Sequence, residues 1–370
     1  NGKQIKEFNG NVIIKNLDLI LETDRAIQYV DKNEIHLFGN IRLIDSDATI
    51  NCNNLIYYIN QQACLAYDDV ILNQDSRQVY CDTLRYWDQK DSLQSIGNIQ
   101  IMQSDSKRKA YAQEMHMFKP DSSSLIFKLT KSAEVFSITE TKVSEESQLM
   151  LFEDKLQGQN IEIIIEEDTL RNLNIYGMAI ADYHVIKDSL LMGVNNVSGD
   201  SIMIDFVDDR LKRMQVSGGG LGEFIPEEGN SKVDSTVFYN AEYIDYLLDI
   251  QKSILKKNAQ VDYGETIIES GNIVVDWDTN MLDANEAYNL APTVSKLGES
   301  PMQGEAMKFD LIAKKGVIRK GKTSFNDGFY QGKTIQRQEP DILHMFNSKY
   351  TSCSLDHPHY YFGSKRMKMI

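Results

Sequence analysis

The stretch Gly10-Asn11-Val12-Ile13-Ile14 decides the fold, because it returns along the chain at a constant interval. It comes back as Gly39-Asn40-Ile41-Arg42-Leu43, then with its glycine replaced as Asp68-Asp69-Val70-Ile71-Leu72, and then as Gly97-Asn98-Ile99-Gln100-Ile101. Each step is 29 residues. Self-similarity at such a period predicts a stacked array in which every unit buries its apolar face against the next.

A second motif keeps the same 29-residue step. It reads Thr23-Asp24-Arg25-Ala26, then Cys52-Asn53-Asn54-Leu55, then Cys81-Asp82-Thr83-Leu84. Clusters of Asn, Asp, Ser and Gln fall twice in each repeat and predict turns near residues 17, 32, 46, 61, 75 and 89. The runs between the clusters are rich in Ile, Val, Leu and Tyr, and many alternate in polarity as half-buried strands do.

The turn spacing predicts strands of roughly 10–12 residues, which is about twice the usual strand length. We expect such long strands to bend, so that each contributes to two facing sheets. The prediction is therefore an all-β fold, an elongated antiparallel β-jelly roll or folded β-solenoid with repeats of about 29 residues. A parallel coil, in which residues 29 positions apart pair directly, is the alternative that would contradict this meander.

Together the Gly-Asn motif, the polar turn and the Thr-Asp-Arg-Ala motif resemble the organic-solvent-tolerance (OstA) family. Its members are the periplasmic bridge proteins of lipopolysaccharide transport (LptA) and the amino-terminal domain of the outer-membrane lipopolysaccharide-assembly protein (LptD). The clear repeats cover about a quarter of the chain, with weaker echoes further on. The resemblance implies a jelly roll that works in the periplasm and has no catalytic activity and no cofactor.

The carboxyl-terminal segment resembles the end of the periplasmic domain of LptD-like proteins, just before their membrane barrel. The residues that carry this likeness are at 328–335, 349–353 and 357–362. The resemblance implies an outer-membrane barrel in the same chain, and a location in the periplasm attached to, or part of, an outer-membrane protein. A separate bridge component is the alternative.

Three segments describe the predicted organisation. Residues 1–150 form an OstA-like jelly-roll array, and residues 151–236 continue it, with a glycine-rich loop at 217–236. Residues 237–370 form a second OstA-like array that ends in the segment preceding the barrel. Within it, Tyr243 to Leu255 fits either a helix face or two strands joined by a turn, and we favour the two strands.

Composition excludes several classes of protein. The chain has 370 residues and a formal net charge of −15, which argues against sequence-independent binding to nucleic acid and against adsorption to an anionic membrane surface. Its apolar runs fall short of the roughly 18–20 residues that a transmembrane helix requires. The chain contains only six prolines, which is consistent with long uninterrupted strands.

The chain contains four cysteines, Cys52, Cys64, Cys81 and Cys353. Cys52 and Cys81 occupy one repeat position, but in an antiparallel meander equivalent positions lie two strands, roughly 9–10 Å, apart. A disulfide requires Cα atoms within about 7 Å. We therefore interpret Cys52 and Cys81 as small apolar core residues, whereas a parallel solenoid would pair them.

Residues capable of chemistry are scarce. Cys353, His357 and His359 have the residue types of a zinc site, yet an ordinary loop is the favoured interpretation. The pair Glu166-Glu167 suggests hydrolysis but lies where a turn is expected. The glycine run beginning at Ser217 lacks the Gly-Lys-Ser/Thr ending of a phosphate-binding loop. We expect no enzyme, no metal site and no cofactor.

Apolar residues at alternating positions are the candidate site. They form either a closed core or an open groove, and the resemblance implies a groove for the acyl chains of lipid A. The twelve candidates are Val12, Ile14, Ile41, Leu43, Leu55, Tyr57, Val70, Leu72, Leu84, Tyr86, Ile99 and Ile101.

Lipopolysaccharide transport and assembly is the predicted function, with the groove shielding lipid A acyl chains on the way to the outer membrane. The predicted partners are lipopolysaccharide, other OstA-like jelly-roll proteins that dock edge strand to edge strand, and the barrel, with no nucleic acid. Two alternatives remain: a structural or adhesive β-solenoid without ligand, and a polysaccharide-processing β-solenoid enzyme.

Overall fold

The computed structural model consists almost entirely of β-strands. It describes residues 4–16, 19–45, 48–74, 76–87, 92–103, 107–167, 169–208, 210–296, 299–325, 327–339, 342–355 and 357–369. These residues form 24 strands and no α-helix. The registers of neighbouring strands are antiparallel, for example between residues 5–16 and 19–29. The all-β antiparallel prediction is confirmed, and the alternative of a parallel coil is wrong.

The first eight strands have 11 or 12 residues each, as the turn spacing predicts. Each pairs with the next along the chain. They are β1 Ile5–Asn16, β2 Leu19–Tyr29, β3 Glu34–Asp45, β4 Ala48–Tyr58, β5 Ala63–Gln74, β6 Arg77–Trp87, β7 Ser92–Gln103 and β8 Arg108–Phe118.

Five longer strands of 17–19 residues follow. They are β9 Ser124–Thr141, β10 Met150–Glu166, β11 Thr169–Lys187, β12 Leu190–Val207 and β13 Arg210–Pro226. The predicted glycine-rich loop at 217–236 is wrong over its first half, because the glycines lie inside β13 and only residues 227–236 lie outside a strand. Gly218 and Gly219 have φ of 81° and 72°, a backbone region that glycine enters without steric cost.

Eleven further strands complete the described chain. They are β14 Val237–Leu247, β15 Lys252–Tyr263, β16 Thr266–Asp276, β17 Met281–Asn285, β18 Thr293–Lys296, β19 Met302–Gln303, β20 Ala306–Asp310, β21 Lys315–Phe325, β22 Gly328–Glu339, β23 Ile342–Thr351 and β24 Phe362–Met369. The two-strand interpretation of Tyr243 to Leu255 is confirmed, since a single 3₁₀ turn at Leu248–Ile250 joins β14 to β15.

The predicted turns near residues 32 and 61 are short 3₁₀ helices, Val30–Lys32 and Ile59–Gln61. Each ends in a left-handed residue, Asn33 or Gln62, whose backbone N–H closes the turn. The other four predicted turn centres, residues 17, 46, 75 and 89, lie outside the described residues, although strands end and begin on both sides of each.

The Gly-Asn motif bends each strand that carries it, near the middle of that strand. Gly39 and Asn40 have φ of 77° and 46°, and the register between β3 and β4 shifts between Phe38 and Ile41. Two consecutive left-handed residues insert a bulge, which bends the strand and increases its twist. The same pair of conformations recurs at Asp68-Asp69 and at Gly97-Asn98.

The second motif holds this bulge from the neighbouring strand. Asp24 of β2 accepts a hydrogen bond at 2.8 Å from Nδ2 of Asn40, and Asp82 accepts one at 3.0 Å from Asn98. A Cβ atom on Gly39 would lie 2.8 Å from the Asp24 carboxylate, so a larger residue there would require the Asp24 side chain to move. The two motifs therefore share one period because their side chains bind each other.

The chain forms two compact units. Unit 1 consists of Asn1–Thr139, Leu151–Ile180 and Asp205–Arg210, and unit 2 consists of Glu140–Met150, Ala181–Ile204 and Leu211–Ile370. The long strands contribute residues to both units. The division into segments at residues 150 and 236 stays a prediction.

Rows of cross-strand neighbours build the core of unit 1. Row A runs through Leu21, Leu43, Ile50, Leu72, Val79 and Ile101. Row B runs through Ala26, Leu37, Leu55, Ala66 and Leu84, on the other side of the bulge in each strand. Most members of both rows are 5% exposed or less, so both rows belong to the interior of unit 1.

Candidate functional site

Eight of the twelve predicted groove residues belong to a cross-strand row of unit 1 or pair directly with one. Ile14, Leu43, Leu72 and Ile101 lie in row A or pair directly with it. Leu55 and Leu84 lie in row B. Row C runs through Tyr57, Cys64 and Tyr86, two positions from row B in each strand. The remaining four, Val12, Ile41, Val70 and Ile99, follow a left-handed pair.

Burial divides the twelve into two groups. The seven most buried are between 0% and 3% exposed: Ile41, Leu43, Leu55, Val70, Leu72, Leu84 and Ile99. The other five are half-buried: Val12, Ile14, Tyr57, Tyr86 and Ile101. Within each of rows A, B and C, apolar residues succeed one another across consecutive strands.

A cavity of about 400 Å³ lies in unit 2, and sequence reasoning did not identify it. Its lining comes from β11 to β16 and from the segments that connect them. The aliphatic part includes Val185, Met192, Val237, Leu255 and Val275. The lining as a whole does not follow the 29-residue step, so no periodic signal pointed to it.

A buried network of hydroxyl and amide groups lies in the wall of this cavity. Tyr246 donates its O–H to the hydroxyl oxygen of Tyr239 at 2.7 Å, and Tyr239 donates to Oδ1 of Asn195 at 2.5 Å. Nδ2 of Asn195 donates to the hydroxyl oxygen of Tyr183 at 2.9 Å. Burial raises the pKa of both Tyr239 and Tyr246 above that of free tyrosine.

Two aromatic rings and an ion pair border the same cavity. The rings of Phe224 and Trp277 have centroids 5.7 Å apart, and Nε1 of Trp277 donates to Oγ of Ser253 at 2.8 Å. Nζ of Lys187, at the end of β11, lies 2.6 Å from Oδ1 of Asp278, just after β16. This ion pair joins the end of β11 to the segment that follows β16.

The first strand of unit 1 has an open edge. β1 pairs with β2, and no strand of the described chain pairs with its other side. Ile5, Phe8 and Ile13 of this strand are 50%, 49% and 59% exposed. An open edge with exposed apolar side chains is a template for another strand.

Comparison with known proteins identifies the repeats. A family model for OstA-like proteins matches residues 1–66, which contain the first two Gly-Asn motifs and the first two copies of the second motif. The first repeats are OstA-like. A comparison with curated proteins found no match.

One solved structure similar to part of the chain is that of LptH from Pseudomonas aeruginosa. It is described as the LptA-homologous periplasmic component of the lipopolysaccharide transport device. It is 13% identical, with a TM-score of 0.28, and the alignment covers 35% of this chain and 84% of LptH.

Three cysteines lie in the core of unit 1. Cys52, Cys64 and Cys81 are buried and free, and the burial of Cys52 and Cys81 confirms that both are core residues. Burial raises the pKa of Cys52 and Cys64 to about 12 and that of Cys81 to about 11. Cys353 is also free, and hydrogen bonds from the backbone lower its pKa.

In the part of the chain that the structure describes, the other chemical candidates do not assemble into a site. Sγ of Cys353 lies 3.6 Å from Nδ1 of His359, and no group of three or more His, Cys, Asp or Glu in the described residues is placed to hold a metal ion. Glu166 lies at the end of β10 and contacts Arg171. Among the described residues no helix has the length and apolar character to cross a membrane.

Proposed function

We propose that this chain acts in the periplasm as a non-enzymatic component of lipopolysaccharide transport, and that rows A, B and C of unit 1 shield the acyl chains of lipid A. The observation that carries the proposal is the continuity of these rows across the OstA-like repeats. Leu43, Leu72 and Ile101 succeed one another through consecutive strand pairs with only apolar residues between them. Each apolar side chain of this series therefore has an apolar cross-strand neighbour.

The energetics of the cargo explain why such a surface is needed. A lipid A acyl chain has on the order of a dozen CH₂ groups, and each costs about 0.8 kcal/mol to leave in water. One exposed chain thus costs roughly 10 kcal/mol, so a lipid with several chains needs a shield between two membranes. The half-buried residues Tyr57, Tyr86 and Ile101 are the members of the rows that a chain meets first.

Site-specific photocrosslinking tests this proposal. A photoreactive amino acid replaces Tyr86, whose side chain belongs to row C, and in a matched control it replaces Arg85, the exposed preceding residue of β6. Neighbouring strand residues point to opposite faces of a sheet. We expect purified lipopolysaccharide to crosslink to position 86 several-fold more than to position 85.

Equal crosslinking at the two positions, or none at either, would contradict the shielding role. The absence of any crosslink would favour the structural or adhesive β-solenoid without ligand. A polysaccharide-processing enzyme requires acids that converge on one face, and hydrolysis of a polysaccharide by the purified chain would establish it.

The proposed partners follow from the open edge of β1. We propose that another OstA-like jelly-roll protein adds a strand to Ile5–Asn16, and that the chain belongs or attaches to an outer-membrane protein. Removal of residues 1–16 should weaken association with such a protein by at least tenfold in sedimentation measurements. The circular dichroism of the truncated chain is the control for folding. Undiminished association would exclude β1 as the joint.

A further inference from the structure

The cavity of unit 2 has the size of a ligand site. Its volume of about 400 Å³ lies within the range of roughly 300–1,000 Å³ that small-molecule sites occupy. Protein interiors are close-packed and rarely retain voids larger than a water molecule. A concave space of this size therefore has room for a small molecule.

The lining indicates an aliphatic occupant. Val185, Met192, Val237, Leu255 and Val275 present branched or flexible hydrocarbon groups to the cavity. Val237, Leu255 and Val275 are at most 3% exposed, so they form its deep part.

The polar groups of the deep wall are already bonded to one another. Tyr246, Tyr239 and Asn195 form a chain of hydrogen bonds, and all three are less than 10% exposed. Because their donors and acceptors meet in this chain, these hydroxyl and amide groups need no partner from an occupant. A hydrocarbon group therefore leaves none of these polar groups newly unpaired, whereas an additional buried polar group would need a partner of its own.

The mouth of the cavity differs in character from its interior. Lys187, Asp188, Lys232 and Asp278 belong to the lining and reach solvent. Lys187 and Asp278 form the ion pair that joins β11 to the segment after β16. A molecule that enters here has one end among aliphatic side chains and the other among charges and water.

We propose that this cavity binds one hydrocarbon chain of a single-chain amphiphile, with its polar head at the mouth. A methylene group occupies ~30 Å³, close to the volume of a water molecule in the liquid. A chain of about a dozen carbons therefore fills the space. The proposal stands on unit 2 alone and does not rest on the lipopolysaccharide function, which concerns the rows of unit 1.

Tryptophan fluorescence provides a direct test, because the chain has two tryptophans and only Trp277 lines this cavity. In the full chain carrying Trp87→Phe, dodecanoic acid with a bromine on its last carbon should quench Trp277 in a saturable manner. In the complementary Trp277→Phe chain, the same probe reports on Trp87 in unit 1. The two chains thus measure binding to unit 2 and to unit 1 separately. Absence of binding at one unit is therefore distinguishable from absence of binding at the other.

A matched pair of substitutions locates the bound chain. Val185 of β11 lines the cavity, whereas Val194 of β12 is not part of its lining, and both are half-buried in unit 2. Val185→Phe fills part of the space and should weaken binding at least tenfold, while Val194→Phe should leave it unchanged. Met192→Phe is a second lining variant and should act as Val185→Phe does. Thermal unfolding confirms that each variant is folded.

Chain length gives an independent readout. Each methylene that enters the cavity should strengthen binding about fourfold, so octanoate should bind at least a hundredfold more weakly than dodecanoate. The proposal is overturned by unsaturable quenching of Trp277, by affinity that does not depend on chain length, or by folded lining variants that bind as well as the Val194→Phe control.

Discussion

Asn53 of β4 donates a hydrogen bond from Nδ2 to Oδ2 of Asp69 at 3.1 Å, and Asp69 belongs to the bulge of β5. In the preceding pair of strands the same bond runs in the opposite direction, from Asn40 to Asp24. The residue types are exchanged, but the hydrogen bond is kept. The third repeat therefore lacks the Gly-Asn sequence without losing its bulge, because its neighbouring strand supplies the amide instead of the acid.

This exchange predicts that the acid and the amide are interchangeable as a pair. Asn40→Asp alone places two carboxylates together and should lower the free energy of unfolding by about 1 kcal/mol. The double variant Asp24→Asn with Asn40→Asp reproduces the arrangement of Asn53 and Asp69 and should recover most of that loss. Urea unfolding of the two single variants and the double variant measures the coupling, and additive effects would show that the hydrogen bond does not matter.

Glycine at the bulge provides a second prediction with an internal control. Gly97 has φ of 80°, and a Cβ atom there would overlap the carboxylate of Asp82. Gly10 has nearly the same φ, 81°, but no atom lies within 4 Å of a Cβ atom built on it. Both alanine variants carry the roughly 1–2 kcal/mol cost of left-handed backbone.

Only Gly97→Ala should show a further loss, of about 1–3 kcal/mol, from overpacking. Urea unfolding compares the two variants directly. An Asp82→Ala change added to Gly97→Ala should remove the extra loss, and an equal effect of Gly10→Ala and Gly97→Ala would refute the steric account.

The sequence predicts the repeats well because their causes are local. The alternation around Ile41 and Leu43 and the left-handed preference of Gly39-Asn40 act within a few residues, so strand length and antiparallel pairing follow from them. The same reasoning failed at Gly218-Gly219. A glycine pair indicates left-handed backbone, and that backbone occurs both in loops and in the bulges of this array, so the residue type alone does not choose between them.

The cavity of unit 2 was beyond sequence reasoning for a different reason. Asn195 and Tyr239 are 44 positions apart, and only the packing of β12 near β14 brings their side chains together. Neither residue belongs to a motif with a known spacing. Whether the rows of unit 1 open for a ligand is likewise a property of packing, so the twelve candidates stay a prediction.

Thiol reactivity should separate the four cysteines into two classes. Cys64 has a pKa of about 12 and is buried, whereas the pKa of half-buried Cys353 is lowered below that of an ordinary thiol. Since the thiolate is the reactive form, an aromatic disulfide reagent at pH 8 should modify one thiol rapidly in the folded chain and all four in urea. Cys353→Ser should abolish the fast phase, and rapid reaction at two or more sites would contradict the burial of the others.

The buried tyrosines of unit 2 predict a loss of stability at alkaline pH. Tyr239 and Tyr246 have folded-state pKa values raised by burial, while in the unfolded chain tyrosine ionises near pH 10. Below pH 10 both states hold these protons, so the full contribution is present. Above it only the unfolded state loses them, and stability falls until the pH passes the folded-state pKa.

Each raised group should contribute about 1.4 kcal/mol per pH unit to this fall. Replacing both Tyr239 and Tyr246 by Phe should therefore make the decline in unfolding free energy above pH 10 shallower, whatever the change in stability at pH 8. Tyr288→Phe is the control for the loss of a tyrosine hydroxyl at a surface position, because Tyr288 is 59% exposed. Urea unfolding at intervals between pH 8 and 11 gives the slopes, and an identical decline in the double variant would show that these hydroxyls are not buried in solution.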